Sequence, residues 1–174
     1  MVKVSKAIFF DRDGVLIEAP IDKKNKPLSV KQLNQIKICD GIKELCNKYR
    51  NDYYLIMITN QPDFKRKNNT KKNIEEINFF LKKKLKLNDI FVCYSDDDSC
   101  YNRKPNPGML VDAQKKYNID LKLSFFIGDR WRDIDAGKEI GCKTIFIDRM
   151  YNEKLNCKPD YTVKNINKIM EIIV

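Results

Sequence analysis

Five short apolar runs punctuate the sequence, at positions 7–10, 53–59, 90–94, 123–127 and 143–147, and they restrict the possible fold more than any other feature. None shows the polar alternation of a half-exposed strand, so each reads as a strand buried on both faces. Between them lie segments with helical spacing. Asp40 is a good N-cap for a helix whose Ile42, Leu45, Cys46 and Tyr49 share one face, and Ile74, Ile77, Leu81 and Leu85 share the face of a second. Asn106-Pro107 opens a third with Leu110, Ala113 and Tyr117 inward, residues 133–140 form a fourth that Gly141 ends, and residues 163–172 form a last one. Strands alternating with helices predict the α/β class: a three-layer α/β/α sandwich on a parallel, Rossmann-like sheet, in one domain spanning residues 1–174.

The polar groups that follow these runs carry the chemistry. Ligands of open parallel sheets bind at the carboxyl ends of the strands, where the loops leave a crevice. The first run passes into Asp11 and Asp13, the second ends in Thr59 and Asn60, Lys104 precedes a helix, and Asp129 and Asp133 follow the fourth run. A phosphoryl group needs a nucleophile, a cation and a proton donor, and these residue types supply all of them. Asp11 is the candidate nucleophile and Mg2+ ligand, and Asp13 the proton shuttle. Thr59 and Lys104 suit phosphoryl oxygens and the charge of a pentacoordinate transition state. Asp129 adds an oxygen ligand for a hard cation, while Asp133, one helical turn on, supports Lys104 or a metal-bound water.

Composition narrows the chemistry further. The 174 residues contain no histidine, which excludes a phosphohistidine, a Ser-His-Asp triad and an imidazole metal centre. Six scattered cysteines read as reduced thiols, with Cys39, Cys46 and Cys142 as small core residues and Cys157 uninformative. The amino terminus lacks a signal-peptide pattern and no apolar run approaches a membrane span, so a cytoplasmic protein without membrane attachment is expected. The net charge of +10 invites a nucleic-acid reading, and residues 64–86 hold nine Lys or Arg against two Glu. The lysines, however, are joined by many asparagines along the whole chain, only seven of the 34 basic residues are arginine, and there is one tryptophan. The basic segment therefore reads as a solvated face, and nucleic acid is not the expected partner.

Taken together, Phe-Phe-Asp11-Arg-Asp13-Gly-Val-Leu, Ile-Met-Ile-Thr59-Asn, Arg103-Lys104-Pro and Phe-Ile-Gly-Asp129-Arg-Trp-Arg-Asp133 resemble the four motifs of the haloacid dehalogenase (HAD) superfamily of aspartate-nucleophile phosphotransferases. The resemblance covers residues 7 to 137. It implies an aspartyl-phosphate on Asp11, with Asp13 protonating the leaving oxygen and then activating water. It also implies Mg2+ held by Asp11, the backbone carbonyl of Asp13, and Asp129. Asp13 argues for phosphate chemistry, since the carbon-halogen members lack an acid there. About 42 residues separate Leu16 from Thr59 and about 44 separate Thr59 from Lys104, too few for a large cap domain beside the core helices.

Within the superfamily the chain is most similar to the D-glycero-D-manno-heptose 1,7-bisphosphate phosphatases, with the histidinol-phosphatase domain a near relative. The likeness rests on Thr59-Asn60-Gln61-Pro62-Asp63, Asp96-Asp97-Asp98 and Arg103-Lys104-Pro105-Asn106-Pro107-Gly108-Met109. It implies that Asn60, Arg103 and Lys104 bind substrate, with Arg103 suited to a second phosphate. The family's structural zinc loop is incomplete here. Cys93 and Cys100 stand in the first position of each ligand pair, but Ser95 and Asn102 replace the other two, so no structural Zn2+ is expected and hydrogen bonds should hold the loop. The expected activity is Mg2+-dependent removal of the 7-phosphate from the heptose bisphosphate, on the route to nucleotide-activated heptose for surface polysaccharide, by a monomer acting on a small sugar phosphate. The rivals are a histidinol-phosphate or polynucleotide 3'-phosphatase on the same scaffold, and a non-enzymatic phospho-acceptor module.

Overall fold

The computed structural model describes residues 4–173. Six parallel strands form one sheet: β1 (Ala7–Phe10), β2 (Tyr54–Asn60), β3 (Asp89–Cys93), β4 (Phe125–Gly128), β5 (Lys143–Ile147) and β6 (Tyr161–Val163). Their order is β3-β2-β1-β4-β5-β6, all parallel, the order of doubly wound nucleotide-binding sheets. The chain runs outward from β1 to one edge, returns, and runs outward to the other. A crevice is thereby left at the carboxyl ends of β1 and β4.

Side chains along a strand point alternately to opposite faces, and the core divides accordingly. Ile8, Phe10, Leu55, Met57, Phe125 and Ile127 pack on one face, with α1 (Ile42–Tyr49), α2 (Lys71–Leu85) and the carboxyl-terminal segment carrying α5 (Ile169–Ile172). Ala7, Phe9, Ile56, Ile58 and Phe126 pack on the other with α3 (Gly108–Tyr117) and α4 (Trp131–Glu139). β1 is fully buried, which is why its four residues are all apolar. This is the expected three-layer sandwich, and no separate layer covers the carboxyl-terminal edge of the sheet among the described residues.

Some local expectations need correction. Asp40 does not cap α1: the N-cap is Gly41, whose φ of 86° is the left-handed conformation glycine tolerates, and no side chain caps the helix. The third helix has Pro107 itself at the N-cap position without a capping side chain. Residues 163–172 are not one helix. Tyr161–Val163 extends the sheet as β6, because Asp148 N donates to Val163 O and the Ile145–Tyr161 register completes the edge. The chain then turns at Ile166–Lys168 and leaves only four residues for α5. Ile166, Ile169 and Ile173 nevertheless bury their side chains on the α1 side of the sheet.

Candidate active site

Strand register brings the acidic residues together. β1 pairs Phe10 with Ile127 of β4, and Asp11 N donates to Ile127 O at 3.0 Å, so Asp11 leaves the sheet beside the strand that ends in Gly128-Asp129. α4 starts immediately afterwards and brings Asp133 back over the same strand end. Gly128 permits this return, since a Cβ there would stand 2.1 Å from the Asp133 Cβ. One oxygen from each of Asp11, Asp129 and Asp133 falls within 4.8 Å of the others.

Lys104 enters this cluster from the loop before α3. Its Nζ donates to Asp11 Oδ1 at 2.8 Å, Asp133 Oδ1 at 2.7 Å and Ile58 O at 2.9 Å. Three acceptors use all three ammonium donors. Burial opposes the charge on Lys104, but Asp11 and Asp133 outweigh it and hold its pKa above the usual value. Asn60 fixes the backbone that carries this lysine: its Nδ2 donates to Lys104 O at 2.9 Å, and Lys104 N donates to its Oδ1 at 3.1 Å.

Asp129 is the anomaly. It is 1 % exposed, and among the described residues neither carboxylate oxygen has a hydrogen-bond partner, although the nearby Tyr151 hydroxyl favours its ionised form. Burial first, then the charges of Asp11 and Asp133, push its pKa well above the ordinary carboxylate range. Burial likewise lifts Asp133 to about 6, against the opposing pull of Lys104. A buried carboxylate without a donor is costly unless a cation joins it, so the donor set fits a hard, oxygen-preferring divalent ion. Gly14 makes room beside it: at φ 89°, a Cβ there would lie 1.7 Å from Asp129 Oδ2.

These groups border a cleft of about 80 Å3 lined by Asp11, Asp13, Asn60, Lys104 and Asp133, with Pro27, Leu28 and Ser29 as one wall and Arg130 and Arg132 as another. A larger hollow of about 600 Å3 lies away from it against Leu33, Phe79 and Phe80, but Glu76 is its single carboxylate, set beside Lys83 and Lys84; convergent chemistry, not volume, locates the site. Thr59 is buried beneath the cleft, and its Oγ1 accepts from Gln61 Nε2 at 2.9 Å, which leaves the hydroxyl proton free to donate elsewhere.

Arg103 stands apart from the expected substrate contacts. It is 6 % exposed, does not line the cleft, and donates through Nε to Asp98 Oδ1 at 2.9 Å and through Nη1 to Ser95 O at 2.8 Å. Arg132 shares the same acid, donating to Asp98 Oδ1 at 3.0 Å and to Lys104 O at 3.2 Å, while Arg130 pairs with Glu153. The two arginines between Asp129 and Asp133 were visible in sequence but carry no periodic signal, and only the start of α4 aims them at the cleft. The loop that lacks two zinc-ligand positions is held by hydrogen bonds, as expected: besides those of Arg103, Asn106 Nδ2 donates to Asp98 O and Cys100 O, both at 2.9 Å. The Cys93 and Cys100 sulfurs lie 3.9 Å apart as free thiols.

The HAD-hydrolase-like family model matches residues 101–169. The chain is 34% identical over 149 residues to the D-glycero-alpha-D-manno-heptose-1,7-bisphosphate 7-phosphatase of Campylobacter jejuni, covering 82% of each protein. It is 33% identical over 145 residues to the corresponding beta-anomer phosphatase of Helicobacter pylori, covering 79% of each. The crystal structure of the D,D-heptose 1,7-bisphosphate phosphatase from B. bronchiseptica, complexed with magnesium and phosphate, superposes with a TM-score of 0.81 at 24% identity over 97% of both chains. These relationships, and the convergence of the acids and the lysine at one sheet edge, make this chain a phosphatase belonging to the heptose-1,7-bisphosphate 7-phosphatase family of HAD-like hydrolases.

Proposed function

We propose that this chain removes the 7-phosphate of D-glycero-D-manno-heptose 1,7-bisphosphate through an aspartyl-phosphate on Asp11, as a cytoplasmic monomer. The observation that carries the mechanism is the placement of Lys104 Nζ between Asp11 and Asp133, beside the unpartnered carboxylate of Asp129. The substrate is supported by the names of the relatives in Campylobacter jejuni and Helicobacter pylori. The cytoplasmic setting is supported by the six free cysteines.

Asp11, Asp129 and the Asp13 backbone carbonyl would hold Mg2+, which would neutralise phosphoryl oxygens and draw the phosphate toward Asp11. The Asp11 carboxylate oxygen attacks phosphorus, and the bond to the sugar oxygen breaks. Asp13 gives its proton to that oxygen, then takes one from the water that hydrolyses the acyl phosphate. The Thr59 hydroxyl donates to the equatorial oxygens, where fixed donors are worth most. Lys104 stabilises the charge on those oxygens through its own charge and through the proton freed as Asp11 gives up its hydrogen bond on attack. Asp133 keeps Lys104 aimed at them. At the rim, Arg132 is the residue we assign to the distal phosphate: it lines the cleft and is held by the ionised Asp98, which an incoming phosphate can replace as its acceptor.

Phosphate release with Mg2+ from both anomers of the heptose bisphosphate, histidinol phosphate and a 3'-phosphorylated oligonucleotide, with Asp11→Asn as the blank, tests the assignment. Preference for a heptose anomer supports it. Release only from histidinol phosphate or the oligonucleotide would keep the chemistry and refute the substrate.

A further inference from the structure

Arg12 lies between the two aspartates of the first motif yet is fully buried, a rare position for this side chain. Four of its five N–H donors are used. Nε donates to Asp13 Oδ2 at 3.0 Å, Nη1 to Asn78 Oδ1 of α2 at 3.0 Å, and Nη2 to Gln61 Oε1 at 2.8 Å and to Val30 O at 3.3 Å. Nη2 also stands 3.0 Å from Asp13 Oδ2. Arginine only donates, so Gln61 must present its oxygen to Arg12 and its nitrogen away from it. That nitrogen serves Asp13 Oδ2 at 3.1 Å and Thr59 Oγ1 at 2.9 Å. Gln61 is fully buried and Asn78 is 5 % exposed, so the network is screened from water.

The two oxygens of Asp13 are consequently unequal. Oδ2 accepts from Arg12 Nε and Gln61 Nε2 and has the Arg12 Nη2 charge 3.0 Å away, whereas Oδ1 accepts only from the Val30 amide at 2.8 Å. An oxygen that accepts two hydrogen bonds has no lone pair left for a proton, and one that accepts a single bond has. We propose that Arg12, braced by Gln61 and Asn78, is a positioning residue that pins Asp13 through Oδ2, leaving Oδ1 as the atom that delivers the proton to the leaving oxygen and later accepts one from water. This rests on the acid role given to Asp13 above. Because Gln61 also fixes Thr59, one buried network aims both the proton donor and a phosphoryl-oxygen donor, with α2 as its outer anchor.

The two chemical demands on the leaving group separate this role from a merely structural one. An alkyl leaving oxygen, as in the heptose bisphosphate, needs a proton as the bond to phosphorus breaks, whereas 4-nitrophenolate leaves as the anion. Stopped-flow and quenched-flow bursts report the first phosphoryl transfer for each ester without the later hydrolysis. In Arg12→Lys, which keeps the charge but cannot reach all four acceptors, the alkyl burst rate should fall by about 100-fold, the order expected when a reacting group is displaced by about 1 Å. The aryl burst rate should fall by less than about threefold, since little general-acid help is lost. Asn78→Ala removes only the outer anchor and should show the same selectivity with a smaller fall, which keeps the test open should Arg12→Lys not fold. Equal losses for both esters, or an undiminished alkyl rate in both folded variants, would overturn the assignment. Asp13→Asn in parallel isolates the underlying reading: a selective alkyl loss there supports the acid role, and equal losses there refute that role itself.

Discussion

Asp129→Asn should make the metal-free protein more stable while abolishing its response to Mg2+. Both Asp129 oxygens are buried without a hydrogen-bond partner, and Asp11 and Asp133 add like charge nearby. An unsatisfied buried polar group costs about 1–3 kcal/mol, more if charged. Asparagine keeps the volume, removes the charge, and can donate to the acids that lie within 4.8 Å. A net gain of about 2 kcal/mol is therefore expected in chelator, which for a domain of this size raises the melting temperature by roughly 4–8 °C. Mg2+ at about 100 times its dissociation constant stabilises a protein that binds it by about 2.7 kcal/mol, so wild type should climb by a similar margin when the ion is added. The variant should hardly move. Thermal denaturation of both proteins in chelator and in excess Mg2+ measures all of these quantities. A variant that melts below wild type in chelator, or one that gains as much from Mg2+, would refute the argument that Asp129 is held in reserve for a cation.

Protonation should mimic part of that gain. Asp129 and Asp133 have folded-state pKa values above their unfolded ones, Asp133 at about 6, so the metal-free fold takes up protons that the unfolded chain does not. The stability they lend is full below an unfolded pKa of about 4 and is lost as pH rises through about 6. Melting in chelator should accordingly rise from pH 7.5 to 5.5, and Mg2+ affinity should weaken over the same interval as protons compete; a melting temperature that falls on acidification would contradict this. Lys104→Met leaves Asp11 and Asp133 buried without their cation, and breaking such a pair costs about 3–5 kcal/mol, measurable by urea denaturation at pH 7.5, along with loss of turnover. Gly14→Ala must displace Asp129, because the new Cβ would lie 1.7 Å from its Oδ2, so Mg2+-dependent activity should be lost. Arg132→Ala should raise KM for the bisphosphate by roughly tenfold or more, as expected for a lost charged hydrogen bond, while a monophosphate ester is unaffected in steady-state assays.

The layers and most of the site were legible because both follow from local pattern. Short apolar runs alternating with helical segments indicate a parallel sheet, although edge strand β3 is only half-buried, and such strands end at a shared edge, so Asp11, Thr59, Lys104 and Asp129 could be gathered from sequence alone. What was not legible depends on contacts distant in sequence. Arg12 carries no signal of its own in the sequence, and its role depends on Asn78, 66 positions away, which accepts from it. The hint was Asn78 itself, a polar residue set among Ile74, Ile77 and Leu81 on the buried face of α2. Arg130 and Arg132 could not be told from ordinary first-turn residues, and the role of Arg103 as a brace for Ser95 and Asp98 depends on how the loop closes. β6 was missed because Tyr161–Val163 is too short to announce a strand and owes its conformation to the edge of β5.

The mechanism requires that Asp11 become phosphorylated during turnover. Rapid acid quench of the enzyme mixed with the heptose bisphosphate and Mg2+, followed by peptide mass spectrometry, tests it directly. Phosphate on Asp11, formed and lost at rates compatible with turnover and absent from Asp11→Asn, is the predicted result. Turnover with no covalent phosphate at all, or with phosphate on another residue, would contradict it.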